Sequence, residues 1–469
     1  MRTRIAIAAA IVGLLGAGSA LIASAASPVA GASRNGAAPS GHAHASAASR
    51  PGGPGSGGGP TPARTAPDDG RAALQSALAA ALGGNAGCVV AERDGQVVAA
   101  VNANGPVIPA STQKLVVAAA ALSALGPDYR FVTKLVTDMP VVNGMVPRLW
   151  LVGSGDPMLG TADYGAVVAA GDRLTVAPPI TPLEWLAGAV AQAGIRSVPA
   201  GVVGDDSLLS AQRYLPTWTR AEIGEDDVGP LSALTVNEGW ARWRPAWAAA
   251  SDPPADAVGR IEGLMHADGV AVGGIGLDGP APPDARVVAS VASVPLSSIV
   301  AYMLATSDNH IAELLTRMVG LKVSGTGTTA AGTAAVLEVG ARLGVPTAGV
   351  TMVDGSGLSR QNAATCTELL AAYRLGSDPR FAAIRAGLPI AGETGLMADE
   401  FQGTPAQGRV IAKGGWIDGV AGLVGSAGGP RGVDFAFVAN GTFDFAVSLA
   451  LDQQAMDALV AYTTPGAGP

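Results

Sequence analysis

The run STQKLVVAAAALSAL, residues 111–125, contains a single charge, Lys114, in an otherwise small or apolar stretch. Prolines at 106 and 109 precede it and Gly126-Pro127 stops it, which predicts a helix over 111–125. A helix that is apolar on every side is buried. A lysine inside it sits where its charged form is costly, so desolvation lowers its pKa. Ser111 lies three residues before Lys114, on the same helical face. The helix N-terminus favours negative charge at the Ser111 hydroxyl, and its backbone N–H can bind an oxyanion. A neutral amine beside a serine hydroxyl is a general base.

The surrounding chain has 469 residues, 48% hydrophobic and 14% charged, with a net charge of −8. That is enough apolar material for large cores and a length suited to roughly two to four domains. An acidic chain with no basic face is not built to bind a nucleic-acid backbone, so DNA and RNA are excluded as partners. Of four histidines, His42 and His44 fall in a low-complexity stretch, leaving His266 and His310. With two cysteines, that leaves no Cys/His zinc site and no cofactor that the sequence demands. The chain has four lysines, Lys114, Lys134, Lys322 and Lys413, against 25 arginines. A lysine retained in such a chain points to what arginine cannot do, which is to lose its proton at modest cost; ordinary surface lysines are the bland alternative.

Arg2 and Arg4 followed by the uncharged run 5–26, with small residues at 23–25, read as a signal peptide. The run is also long enough for an N-terminal anchor, which needs about 20 apolar residues. Either places the remainder outside the cytoplasm, in the cell envelope or periplasm, and any membrane contact is through this segment alone. Residues 27–69 are a Pro/Gly/Ser/Ala linker that cannot bury enough surface to fold. From Gly70 the pattern gives a helix at 71–82, then strands at 88–93 and 96–101 joined by the Asp94-Gly95 turn. Residues 127–295 have a different texture. Short strand-like pieces alternate with Gly/Pro turns, a helix runs from a Thr181 cap to 194, another lies in 255–266, and tryptophans 150, 185, 218, 240, 243 and 247 gather there. Helices at 296–306, 311–319, 328–343 and 365–373, strands at 408–413, 420–425 and 433–440, and a helix at 447–462 complete the chain. The halves 70–126 and 296–469 each look like part of one domain interrupted by an inserted, mostly β segment, 127–295. Cys88 and Cys366 could pair in an exported chain, but their apolar contexts weigh toward free thiols.

Two further elements carry chemistry. Ser307-Asp308-Asn309 lies between two helices; a hydroxyl and a carboxamide make a proton relay with an amide-binding group, although helix caps use the same residues. Lys413-Gly414-Gly415 ends a strand-like run, where glycines allow a substrate backbone to approach, as they also would in a plain turn. In order, the three resemble the Ser-x-x-Lys, Ser-x-Asn and Lys-Thr/Ser-Gly signature of penicillin-binding proteins and serine β-lactamases. With Leu151-Val-Gly-Ser-Gly-Asp-Pro157 and Asp354-Gly-Ser-Gly-Leu-Ser-Arg-Gln-Asn362, they look like the D-alanyl-D-alanine carboxypeptidase/endopeptidase family, the low-molecular-mass class C penicillin-binding proteins. That family also carries a large insertion between its first two motifs.

The resemblance covers residues 75–460 and implies an α/β (α+β) serine β-lactamase/penicillin-binding-protein-like sandwich with a large, mostly β insertion. It implies a serine-type D-Ala-D-Ala carboxypeptidase acting on peptidoglycan stem peptides through an acyl-enzyme, with D,D-endopeptidase action beside it and β-lactams as inhibitors. Ser111 would be the nucleophile and Lys114 its base. Ser307 would relay a proton to the leaving amine, Asn309 would hold the peptide amide, and Lys413 would attract the terminal carboxylate. Gly414, Gly415 and Trp416 would line the substrate strand, the oxyanion hole being the N–H groups of Ser111 and Trp416. No metal or organic cofactor is implied. Gly414 departs from the expected Thr or Ser. A hydrogen bond to a charged group contributes about 1.5–3 kcal/mol, so Gly414→Thr is expected to raise acylation roughly ten- to a hundredfold. The departure keeps open a weakened, wall-binding protein. A serine β-lactamase is the other alternative, although no Glu-x-x-x-Asn loop lies between Ser307 and Lys413, and no Gly-x-Ser-x-Gly suggests an α/β-hydrolase. Asp156, His310 and the 354–362 run read as structural, the last as a turn and helix entry.

Overall fold

The computed structural model describes residues 70–171, 177–224, 227–274, 277–429 and 432–464. The expected leader and linker, 1–26 and 27–69, lie outside the described residues. In chain order come α1 (Arg71–Ala81), β1 (Ala86–Arg93), β2 (Gln96–Val101) and α2 (Lys114–Leu125), then β3 (Val132–Thr137), β4 (Leu149–Val152), α3 (Ala162–Gly171), α4 (Leu183–Gln192), β5 (Val202–Asp205), α5 (Pro253–Ala267), β6 (Leu277–Asp278) and β7 (Arg286–Ala292). They are followed by α6 (Leu296–Thr306), α7 (Asn309–Ser324), α8 (Thr329–Arg342), α9 (Cys366–Arg374), β8 (Val410–Ile417), β9 (Val420–Ala427), β10 (Val433–Asn440) and α10 (Phe445–Thr463).

One antiparallel sheet has the order β8-β9-β10-β1-β2, so the early hairpin pairs with the last strands, Cys88 opposite Val438. The two-residue alternation of its strands feeds two cores. Val89, Ala91, Phe435 and Phe437 face α1 and α10. Cys88, Val90, Ala436 and Val438 face the layer of α2, α6, α7 and α9. Helix α2 lies inside that layer, with every residue from Lys114 to Leu122 buried, as its unbroken apolar surface requires.

Residues 127–295 build a second sheet, β6-β5-β4-β3-β7, parallel between β4, β5 and β6 and antiparallel elsewhere. Beside its strands this segment holds three helices of ten residues or more, α3, α4 and α5, so it is more helical than a mostly β reading suggests. Leu183, Leu186, Ala187 and Val190 recur at helical spacing and pack with Ala257, Ile261 and Met265 of α5. Leu209, Leu215, Trp218 and Leu231 of the same segment join the core around α2 instead.

Several local expectations change. Thr181 does not cap α4: Thr181-Pro182 forms a short parallel bridge to Leu159-Gly160, and the helix begins at Leu183. Residues 111–113 lie in a 3₁₀ turn, Ala110–Gln113, ahead of α2. Lys413-Gly414-Gly415 sits in mid-strand, because β8 continues to Ile417. Cys88 and Cys366 are disulfide-bonded, with Cα atoms 5.8 Å apart, which overturns the weighting toward free thiols. An apolar context proves equally suited to a buried disulfide.

That bond ties β1 to the start of α9 across a sequence separation of 278. Closing so long a loop restricts the unfolded chain strongly. Replacing both cysteines by alanine is expected to lower unfolding stability by about 2–5 kcal/mol. A denaturation midpoint equal to the wild-type value would contradict the bond.

Candidate active site

Ser111 is held by strain and close packing. Ala110, just before it, has φ 46°, a left-handed conformation that non-glycine residues adopt at a cost. Gly357 (φ 86°) presses against this point, where a Cβ would run into the Ala110 carbonyl oxygen. The 3₁₀ turn then places Ser111 and Lys114 on one face. Lys114 Nζ lies 2.7 Å from Ser111 Oγ and donates to Asn309 Oδ1 at 2.6 Å and to the Ser356 carbonyl at 2.8 Å.

The proton inventory of Lys114 follows. A neutral amine has two N–H donors and one lone pair. Asn309 Oδ1 and Ser356 O can only accept, so the two donors go to them and the lone pair is left for the Ser111 hydroxyl. Burial pushes the Lys114 pKa down to about 8, against the opposing pull of Asp308, Asp354, Glu313 and Asp227. The arrangement can therefore remove the Ser111 proton near neutral pH.

Ser307 ends α6 in a left-handed conformation, φ 57°. Asp308 caps α7, accepting from Ile311 N at 2.8 Å, so the capping reading holds for that one residue. Asn309 opens α7 and also donates its amide to the Asp227 carbonyl at 2.8 Å. Lys413 Nζ donates to Ser307 Oγ at 2.8 Å and to the Gly414 carbonyl at 2.6 Å. Burial, then the neighbouring Lys114 charge, lowers the Lys413 pKa well below that of an ordinary lysine. The structure thus links Ser111, Lys114 and Asn309 in one hydrogen-bonded group, and Lys413 with Ser307 in another. All five side chains are buried.

Strand alternation sorts the residues around Lys413. Gly415 faces the turn that carries Ser111: a Cβ there would lie 2.8 Å from Pro109 O and 2.9 Å from Thr112 N. Gly414 and Trp416 face the other core, where the indole donates to Asp452 Oδ2 at 2.6 Å. Trp416 can therefore serve the site only through its backbone.

The profile of the D-Ala-D-Ala carboxypeptidase 3 (S13) family matches residues 71–244 and 241–463. A D-alanyl-D-alanine carboxypeptidase from Actinomadura sp. is 32% identical across 71% of this chain and 73% of its own. The chain belongs to the D-Ala-D-Ala carboxypeptidase 3 (S13) family. Carboxypeptidase DacB of Mycolicibacterium smegmatis is 29% identical over 80% of this chain and 82% of its own. Among solved structures, penicillin binding protein 4 of Haemophilus influenzae has the same fold, with a TM-score of 0.66 and 21% identity over 81% of this chain and 98% of its own.

The second Lys114 acceptor, the Ser356 carbonyl, was not anticipated. It belongs to the 354–362 run, a turn buried from Asp354 to Ser359 that enters no helix, α9 beginning only at Cys366. Asp354 organises the turn, accepting from Gly357 N (2.9 Å), Ser359 N (2.6 Å), Asn362 Nδ2 (2.7 Å) and Trp218 Nε1 (2.9 Å). Glu313 and Trp218 were likewise missed, because neither stands in a short motif. Asp156 and His310 lie buried outside these contacts. Burial raises the Asp156 pKa to about 6 and lowers that of His310 to about 4.

The expected gain from Gly414→Thr does not survive this geometry. A Cβ at 414 lies 2.5 Å from the Trp416 ring, on the face away from Lys413. Overpacking of this kind costs about 1–3 kcal/mol. The variant is expected to lose that much stability without acylating faster. Denaturation curves and acylation rates check this; faster acylation by the variant would refute it.

Proposed function

We propose that this protein is a serine-type D-Ala-D-Ala carboxypeptidase that acts on peptidoglycan stem peptides outside the cytoplasm, with endopeptidase cleavage of D,D-peptide links by the same chemistry. The observation that carries this reading is the buried amine of Lys114, whose lone pair is directed at Ser111. Lys114 takes the hydroxyl proton as Oγ bonds to the carbonyl carbon of the penultimate D-alanine. The N–H groups of Ser111 and Trp416 receive the oxyanion. The C–N bond then breaks, and the departing D-alanine amine takes a proton through Ser307, which Lys413 resupplies. Water then attacks the acyl carbon as the ester C–O bond breaks; Ser111 Oγ takes back its proton from Lys114, and the proton shed by the new carboxylic acid recharges Lys413. An arriving substrate carboxylate favours the Lys413 ammonium, offsetting the burial that disfavours it in the free enzyme. Asn309 holds the peptide amide while keeping Lys114 in place.

A β-lactam presents an amide carbonyl to the same nucleophile, so penicillins are expected inhibitors. A purely wall-binding role leaves the Ser111–Lys114 pair without a purpose.

Labelling with a fluorescent penicillin followed by peptide mass spectrometry tests the assignment. The label is expected on Ser111. Ser111→Ala should take up none, and Lys114→Ala should acylate about 10²–10⁴-fold more slowly. Label on another serine, or unchanged rates in Lys114→Ala, would overturn the proposal.

A further inference from the structure

Glu313 lies on α7 one turn after Asn309, hence on the same face, and is fully buried. Its Oε1 accepts from Gly355 N at 2.9 Å and from Ser356 N at 2.7 Å. Its Oε2 makes no hydrogen bond among the described residues. The clamp fixes the peptide units whose next carbonyl, that of Ser356, accepts from Lys114. Both fixed acceptors of the Lys114 amine thus trace to one face of α7, Asn309 directly and Ser356 through Glu313.

We propose that Glu313 is a positioning residue for the general base, holding the Ser356 carbonyl against Lys114 and biasing the Lys114 proton through its own buried charge. This rests on the reading of Lys114 as the base for Ser111.

The two parts are separable. The clamp needs an acceptor at the length of a glutamate side chain. The bias needs a negative charge. Burial, then Asp354, raises the Glu313 pKa to about 7, opposed by Ser356 and Arg317. The charged groups acting on Lys114 are Asp308 and Glu313 at α7, Asp354 in the turn and Asp227 from the 127–295 segment, while Lys114 in turn lowers the pKa of Lys413 on β8. Within that set Glu313 holds the two peptide units before the Ser356 carbonyl, and Asp354 accepts from Gly357 N on the peptide unit that carries it. The Glu313 neighbour Arg317 is committed elsewhere, to Thr329, Ser210 and Gln212.

Glu313→Gln keeps an oxygen for the two N–H groups and removes the charge. The Lys114 midpoint is expected to fall by about half a pH unit or more, because an anion that favours the ammonium is gone. Glu313→Asp keeps the charge and shortens the reach. Its midpoint is expected to stay near the wild-type value while the acylation rate at high pH falls about tenfold or more from lost positioning. With four lysines in the chain, ¹³Cε-lysine NMR can follow Lys114 without any substrate, its signal assigned by loss in Lys114→Arg. Penicillin acylation is measured on the same full-length proteins across the same pH range. An unchanged midpoint in Glu313→Gln refutes the charge effect. An unchanged high-pH rate in Glu313→Asp refutes the clamp and is readable even where the glutamine variant does not fold. No acylation in the wild-type protein at any pH would instead sink the catalytic reading, leaving the lysine titration to judge Glu313 alone.

Discussion

The ε-amino group of Lys114 is closed off from water, and among the described residues no ion-pair partner touches it. A buried ammonium is costly, and the usual remedy is a touching carboxylate. Here the contacts are instead two carbonyl-type oxygens and the Ser111 hydroxyl, with carboxylates acting only from further away. The neutral form is thereby brought within reach at ordinary pH. A directly paired carboxylate would have kept the lysine charged and useless as a base.

Each of these contacts comes from a different part of the chain, so the fold serves to bring them together. Ser111 arrives from the turn before α2, Asn309 from the start of α7, and the Ser356 carbonyl from the turn that Asp354 ties together. Strand β8 brings Lys413 alongside because Gly415 has no side chain to collide with Pro109 and Thr112. The 127–295 segment adds Trp218 on Asp354 and the Asp227 carbonyl on Asn309. It is thus tied to the groups around Lys114 by hydrogen bonds as well as by packing.

The long apolar helix, the hairpin at Asp94-Gly95 and the terminal strands were legible because each is a local pattern: unbroken apolarity, a two-residue turn, or alternation. The motif lysines stood out because so few lysines occur. What was not legible depends on contacts far apart in sequence. Which face of β8 Gly414 occupies is set by register and by the Trp416 indole filling the opposite side, and no motif reports that. Glu313 looks in the sequence like one more helical glutamate. Its role appears only when the 354–357 turn folds down onto α7. The disulfide was legible only as a possibility of an exported chain with two cysteines, since two apolar neighbourhoods 278 residues apart carry no sign that they meet.

The central claim is that burial makes Lys114 a base at moderate pH, and the pH dependence of Ser111 acylation tests it most directly. The neutral amine accumulates as pH rises, so the second-order rate of acylation by a penicillin whose own charge is constant should climb through an apparent pKa of about 8 and then level. A rate that is flat between about pH 6 and 10, or one that climbs only near the 10.4 of an unperturbed lysine, would contradict the account.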